Sequence, residues 1–325
     1  VSVTTSRAFW VTGPCAGELR EEPLAPTGPA EVRVRTRFSA ISRGTESIVY
    51  RNEVPVAEHE RMRAPFQSGN FPCPVKYGYI SVGDVEAGPE TLIGRTVFCL
   101  HPHQDRYVVP ASAVTPIPDA VPAERAILAA NLETAINGIW DAGPGIGDRI
   151  AVIGGGAVGC LLAWLAARIP GCDVELIDIN EARRATAERL GARFATPATA
   201  RDDVDIVLHA SGNPAGLSCA LDIAGREARI VELSWFGQKP ATLSLGGAFH
   251  SRRLTLQSSQ VGSLPANRQA RWDFQRRLGL ALSLLTDPGL DELITADSHF
   301  DALPATMHRL SVAADDVICH RVRYA

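Results

Sequence analysis

No run of 18 apolar residues occurs in the chain, so no transmembrane helix is expected. The first ten residues, VSVTTSRAFW, contain no charged region followed by an apolar core, so no secretory signal is read there. Basic residues are not in excess: 32 Lys and Arg stand against 36 Asp and Glu, giving a formal net charge of −4. That balance lacks the electrostatic footprint nucleic-acid binding needs, and the doublets Arg252–Arg253 and Arg276–Arg277 are read as surface or interface residues. The seven cysteines, Cys15, Cys73, Cys99, Cys160, Cys172, Cys219 and Cys319, are odd in number and contain no CxxC pair. Their scatter argues against a disulfide framework and for a reduced, cytoplasmic protein. Repeats and low-complexity tracts are absent. The remainder is an ordinary globular composition, 46% hydrophobic and 21% charged, long enough at 325 residues for two domains with their own cores.

Function is most legible in residues 149–183, RIAVIGGGAVGCLLAWLAARIPGCDVELIDINEAR. The β-branched run Ile150–Ile153 reads as a buried parallel strand running into Gly154, Gly156 and Gly159, with a helix over 157–168 behind it. Gly154 permits a tight bend, Gly156 lets backbone approach a pyrophosphate, and Gly159 lets the helix pack closely. Ala157 and Val158 open the helix, whose amino end offers free N–H groups and a positive dipole end to phosphates. A second strand over 174–177 ends in Asp178, placed to accept hydrogen bonds from adenosine ribose hydroxyls and to repel a 2′-phosphate. NAD(H) is therefore the expected cofactor, with Ile179 and Arg183 completing the adenosine side. Asp178 is also placed as a helix cap for 180–190, where Asn180 is the better candidate.

Before this stretch, residues 1–118 hold short alternating segments at 31–38, 80–85, 95–100 and 107–109, spaced by turn signals. That pattern predicts an all-β, partly closed barrel. Residues 46–63 read as a short helix and a loop, and 65–79 (PFQSGNFPCPVKYGY) as an irregular, substrate-facing loop. A helix over 122–141 ends at Gly143-Pro144-Gly145 and leads into the second domain, 119–258. There, strands at 205–210, 229–233 and 254–258 alternate with a helix at 214–224, predicting a doubly wound parallel sheet. Ligands bind beyond the carboxyl ends of such strands, which nominates Ala210, Ser211 and Gly212, and then Ser234-Trp235-Phe236, as cofactor neighbours. His209 reads as a satisfied core histidine. Residues 259–325 begin with a helix at 270–285 and close with a strand-like tail at 317–324 that returns to the first domain.

The order of these parts resembles the medium-chain dehydrogenase/reductase family over essentially the whole chain. The resemblance rests on SAISRGTE at 39–46, the segment 78–85, Asn131–Ile139 with its Thr134-Ala135 pair, the glycine turn, and ERLGA at 188–192. It implies an α/β architecture: a GroES-like β-barrel catalytic domain plus a Rossmann domain, in a cofactor-dependent oxidoreductase. Thr134 would then lie on the nicotinamide side. A homodimer joined through the sheet edge near Leu254–Val261 is also implied. Within the family, S-x-I-S-x-G-T-E and Gly78-Tyr79 look most like the bacteriochlorophyllide dehydrogenase branch, although Ile80 stands where that branch usually has Glu.

Zinc-dependent members of the family carry a Cys in the segment matching 41–46, a His-Glu pair after the glycine matching Gly78, and a Cys or Asp four residues before Thr134. Those places hold Ser42 or Arg43, Tyr79 with Ile80, and Ala130. Zinc needs three Cys, His or carboxylate ligands, so no zinc is expected. The four-cysteine structural lobe is missing as well. Cys99-Leu100-His101-Pro102-His103 offers a rival set of ligand types, with Pro102 breaking the strand that would align them.

Hydride transfer without zinc needs side-chain or backbone donors to polarise the substrate oxygen. Thr45 stands where the family's relay hydroxyl is found, and Tyr79 where a zinc-ligating His would be. Lys76 could lower the pKa of a nearby phenol or bind an anion. Glu133 precedes Thr134 and is read as either near the substrate or solvated. The expected activity is interconversion of a secondary alcohol and a ketone on a mid-sized small-molecule substrate. Alternatives are an enoyl or quinone reductase using NAD(P)H and a catalytically inactive NAD(H)-binding protein.

Overall fold

The computed structural model describes residues 5–313 and 316–324. The chain folds as two units: Val1–Ala130 with Leu278–Pro288 and Ile294–Ala325, and Asn131–Arg277 with Gly289–Leu293.

In the first unit the strand Glu31–Ile41 is the hub. Val32, Val34 and Thr36 alternate inward while Arg33, Arg35 and Arg37 stay partly exposed, the period-2 pattern of a sheet with one covered face. It pairs antiparallel with Ser81–Ala87, Arg106–Pro110 and Cys319–Arg323. Thr96–Cys99, Val114–Pro116 and Ile294–His299 complete a seven-stranded sheet. The tail is thus stitched onto the hub strand, and its pairing with Ile294–His299 is parallel. Val32, Val34, Val85, Val97, Tyr107 and Val109 form one core cluster beneath the hub.

A four-stranded sheet accompanies it, in the order Ala16–Pro23, Thr5–Gly13, Val75–Lys76 and Ser68–Gly69. The hairpin Thr5–Gly13/Ala16–Pro23 is not foreseen by the sequence reading, because its second strand, AGELREEP, is charged and has no buried residue. Cross-strand pairing from Thr5↔Pro23 to Val11↔Gly17 and a turn with Cys15 at φ 55° define it instead. Residues 65–79 stay irregular apart from the two short strands.

The second unit is a six-stranded, all-parallel sheet. Its order is Arg193–Ala195, Asp173–Ile177, Arg149–Ile153, Val204–His209, Ala224–Glu232, Thr255–Ser258. Strand succession reverses between Arg149–Ile153 and Val204–His209, the point where open α/β sheets bind ligands beyond the carboxyl ends. Burial on both faces explains the unbroken apolar runs IAVI and IVL in these central strands. The helix Ala157–Ala166 packs on the sheet through Cys160, Leu161 and Trp164.

Several boundaries differ from expectation. The helix read over 122–141 is two, Ala123–Ala126 and Ala129–Ala142, the second closed by Gly143 at φ 59°. Residues 180–190 form a 3-10 turn, Glu181–Arg183, then a helix, Arg184–Arg189, with the Asn180 side chain accepting from the Ala182 N–H. The strand read at 229–233 starts earlier, at Ala224. The helix Leu303–Val312 is absent from the sequence reading.

Candidate active site

Two sets of polar groups are candidates for the chemistry, one in each unit. In the second unit the chain leaves Ile153 and turns through Gly154 at φ 106°, a conformation L side chains rarely adopt. A Cβ there would meet the Ser211 backbone at 2.7 Å. Gly159 is required by crowding: its Cβ would lie 1.7 Å from the Gly154 carbonyl oxygen. At Gly156 no atom would approach an added Cβ within 4 Å. That open face, beside half-buried Ala157 and Val158 at the helix start, suits a pyrophosphate against free N–H groups. The residues present therefore fit a dinucleotide.

Asp178 ends the neighbouring strand, and its carboxylate accepts from the Gly155 N–H at 2.5 Å and the Asn180 N–H at 2.8 Å. The expected acid is thus also a clamp on the glycine turn. Arg183 covers Gly155, its Cγ 3.0 Å from where a Cβ would stand. Ile179 is 84% exposed, an apolar surface next to the acid. Ala210, Ser211 and Gly212 follow His209 at the switch point, and the Gly212 N–H donates to Ser234 Oγ at 3.0 Å. His209, read as a satisfied core histidine, is fully buried and bonded on both ring nitrogens, to Ser211 Oγ at 2.7 Å and to Glu232 Oε2 at 2.6 Å. Phe236 stacks over it with ring centroids 6.2 Å apart, and Trp235 is half-buried. Thr134 is half-buried on Ala129–Ala142. Glu133 is neither solvated nor free: it is buried in an ion pair with Arg277 at 3.0 Å. Burial raises its pKa, and Arg277 opposes the shift.

In the first unit, Ser42 precedes the helix Arg43–Tyr50, and Glu46 reaches back so that Oε1 accepts the Ser42 N–H at 2.8 Å. The Tyr79 hydroxyl donates to Ser42 Oγ at 2.5 Å, with Thr45 a second side-chain partner. Thr45 and Tyr79, proposed separately from sequence, are therefore brought together. Burial pushes the Tyr79 phenol up to about 12, and the Glu46 carboxylate adds to the rise against the Ser42 and Thr45 hydrogen bonds. The phenol thus holds its proton at neutral pH.

Behind this cluster, Glu46 Oε2 meets His103 Nε2 at 2.8 Å, His103 Nδ1 meets Ser39 Oγ at 2.8 Å, and Ser39 Oγ meets the Tyr324 hydroxyl at 3.0 Å. Gly78, at φ 138°, leaves room for His103: a Cβ would lie 3.2 Å from its ring. Sequence reasoning gave Glu46, Ser39 and Tyr324 no part, and named His103 only in the rival metal set. Only the carboxylate four residues after Ser42 carried a local signal, that of a reach back to the helix start. Lys76 lies apart from the phenol cluster, buried, donating to Glu22 Oε2 at 2.6 Å and Gln104 Oε1 at 2.9 Å. Its charge is engaged within the protein, so the geometry gives it neither the pKa-lowering nor the anion-binding part.

A zinc ion does not fit the residues at the family's ligand places. Ser42 and Tyr79 bond each other, and Ile80 and Ala130 have no donor atom. Arg43 is a cation whose guanidinium donates to the Leu310 and Ala313 carbonyls. Cys99, His101 and His103 do not converge either. His101 stacks on Tyr107 with centroids 3.7 Å apart, and its Nδ1 lies 3.0 Å from the Pro102 carbonyl. Burial holds its pKa down to about 3, against that carbonyl bond and with smaller lowering contributions from Lys76 and His103. Among the described residues no group of three or more His, Cys, Asp or Glu side chains is placed to hold a metal. Nor is any helix among them long and apolar enough to cross a membrane.

No protein-family model matches the chain. The D-guloside 3-dehydrogenase of Escherichia coli (strain K12) is 23% identical over 275 residues, covering 76% of this chain and 78% of that one. The 2-desacetyl-2-hydroxyethyl bacteriochlorophyllide A dehydrogenase of Cereibacter sphaeroides is 28% identical over 265 residues, 74% of this chain and 77% of its own. Among solved structures, the L-idonate 5-dehydrogenase of Escherichia coli superposes with a TM-score of 0.80 at 15% identity, over 99% of both chains. That likeness is one of fold. The parallel sheet with its glycine turn, taken with these relatives, defines an NAD(P)-dependent dehydrogenase. In sequence and fold the chain is similar to medium-chain, zinc-type alcohol dehydrogenase-like proteins.

Proposed function

We infer that the protein is a zinc-independent member of this family, transferring a hydride between NAD(H) and a secondary alcohol or ketone of a mid-sized organic substrate. The observation that carries this reading is the hydroxyl cluster of Ser42 and Tyr79, at the places the family resemblance gives to zinc ligands, with Thr45 at the relay place, braced by Glu46. A bound nicotinamide supplies the hydride acceptor or donor. The chain's own part is to polarise the substrate oxygen and handle its proton. Tyr79, protonated at neutral pH, is suited to donate to a carbonyl oxygen, and Thr45 and Ser42 to pass the proton on.

Asp178 favours NAD(H), because its carboxylate at the strand end repels a 2′-phosphate. Arg183, packed over Gly155, is the feature that supports a second reading, NADPH-linked enoyl or quinone reduction. The match to the bacteriochlorophyllide enzyme makes a hydroxyethyl-bearing substrate one choice for screening. Thr255–Ser258 forms an open, mostly exposed sheet edge, which supports a homodimer joined there; light scattering showing a monomer would remove it.

The test is metal analysis of untagged protein together with NADH and NADPH titrations on the same sample. Zinc near zero and tighter NADH binding are expected. Stoichiometric zinc overturns the zinc-independent reading, a preference for NADPH favours the reductase, and tight NADH binding without turnover on any alcohol or ketone indicates a cofactor-binding protein that has lost catalysis.

A further inference from the structure

We propose that Ser211, His209 and Glu232 form a nucleophilic serine centre that takes the acyl group of a small activated ester and passes it to water. Glu232 Oε2 lies 2.6 Å from His209 Nδ1, and His209 Nε2 lies 2.7 Å from Ser211 Oγ. Those are the contacts by which an acid orients an imidazole and the imidazole takes a serine proton; such arrays are recognised by geometry and not by chain order. The acid is itself fixed, its Oε1 accepting the Ser234 N–H at 2.7 Å. His209 is fully buried, whereas Ser211 is exposed, so the reactive end alone meets solvent.

Gly216 keeps the pair intact. A Cβ there would stand 2.5 Å from Ser211 Oγ and 2.7 Å from His209 Nε2, inside any real contact distance. The other contacts of Ser211 Oγ are longer: it accepts from the Asn213 N–H at 3.2 Å and donates to the Asn213 carbonyl at 3.5 Å. The Ser211 backbone packs on Gly154, the first glycine of the turn that leads into the helix Ala157–Ala166. The amino end of that helix, with its N–H groups and positive dipole end, would favour the oxyanion of an acyl intermediate.

In the reaction, Ser211 Oγ bonds to the acyl carbon and its proton moves to His209 Nε2. The ester C–O bond breaks, and the leaving alkoxide takes that proton. Water then attacks the acyl-serine, losing a proton to His209, and the carboxylic acid departs as Ser211 Oγ recovers its proton. The centre does not depend on the hydride chemistry, but a dinucleotide on the glycine turn would cover it.

The experiment treats the cofactor-free protein with a fluorophosphonate probe, with and without NADH, and reads intact mass and the labelled peptide. One adduct on Ser211 is expected, absent in Ser211→Ala and formed at least about tenfold more slowly in His209→Gln and in Glu232→Gln. Thermal melts identify any variant that fails to fold, and the remaining isosteric variant then carries the comparison. No adduct on Ser211, or equal labelling rates in the folded isosteric variants, overturns the proposal. An adduct that NADH does not slow upholds the serine centre and removes the dinucleotide from this turn, so the two readings fail separately.

Discussion

Glu46 and His103 face each other at 2.8 Å, Oε2 to Nε2, with 3% and 1% of their side chains exposed. Glu46 also holds the Ser42 N–H, so one carboxylate connects the hydroxyl cluster to the interior of its unit. Replacing Glu46 by Ala leaves His103 without its partner in a dry site, and leaving a buried polar group unsatisfied costs about 1–3 kcal/mol. Glu46→Gln keeps shape and most hydrogen bonds and costs less. Urea denaturation of the three proteins should give midpoints ordered wild type, Gln, Ala; an Ala variant as stable as wild type would mean the pair contributes nothing.

Tyr79 is the group expected to touch the substrate oxygen. Tyr79→Phe removes the hydroxyl that donates to Ser42 and leaves the ring. We expect kcat to fall by about 10²–10⁴, the range for a lost general acid–base group, with NADH affinity unchanged. Steady-state kinetics beside a fluorescence titration separates the two effects. An unaltered kcat would exclude the phenol.

Two glycines of one turn should fail differently. Gly159→Ala forces a Cβ to 1.7 Å from the Gly154 carbonyl and should lower the melting temperature as well as cofactor binding. Gly156→Ala meets no protein atom within 4 Å, so its melting temperature should hold while NADH affinity drops. Equal losses of stability in both variants would contradict the open face at Gly156.

His101 links stability to pH. Its folded pKa, about 3, lies below the ordinary 6.5, so between these values the unfolded chain binds the proton and the folded chain does not. Stability from this group is complete above about pH 6.5 and declines as pH falls toward 3, by at most about 1.4 kcal/mol per pH unit. His101→Phe keeps a ring on Tyr107 and removes the titration. Denaturation between pH 7 and 4 should show a shallower decline for the variant, and parallel curves would show that other groups set the slope.

Much of the second unit was legible because its signals are local. A buried strand, three glycines, a helix and a terminal acid fall within 149–178, and each constrains the backbone within a few residues. Lys76 and Glu133 were harder to place. A charged side chain can lie on a surface or in a buried pair, and only the partner decides: Glu22 for Lys76 and Arg277 for Glu133. The helix Leu303–Val312 was missed; Arg43 holds the Leu310 carbonyl within it and the Ala313 carbonyl just after it, from 267 and 270 residues away.

The sequence by itself determined the parallel sheet and the glycine turn that leads into its first helix, because backbone periodicity and glycine conformations belong to individual residues. Tertiary structure alone decided that Glu46 meets His103 across 57 residues, that Ser39 meets Tyr324 across 285, and that His209 joins Ser211 to Glu232. A buried polar atom must find a partner wherever the fold brings one, and no local pattern records which distant residue that is.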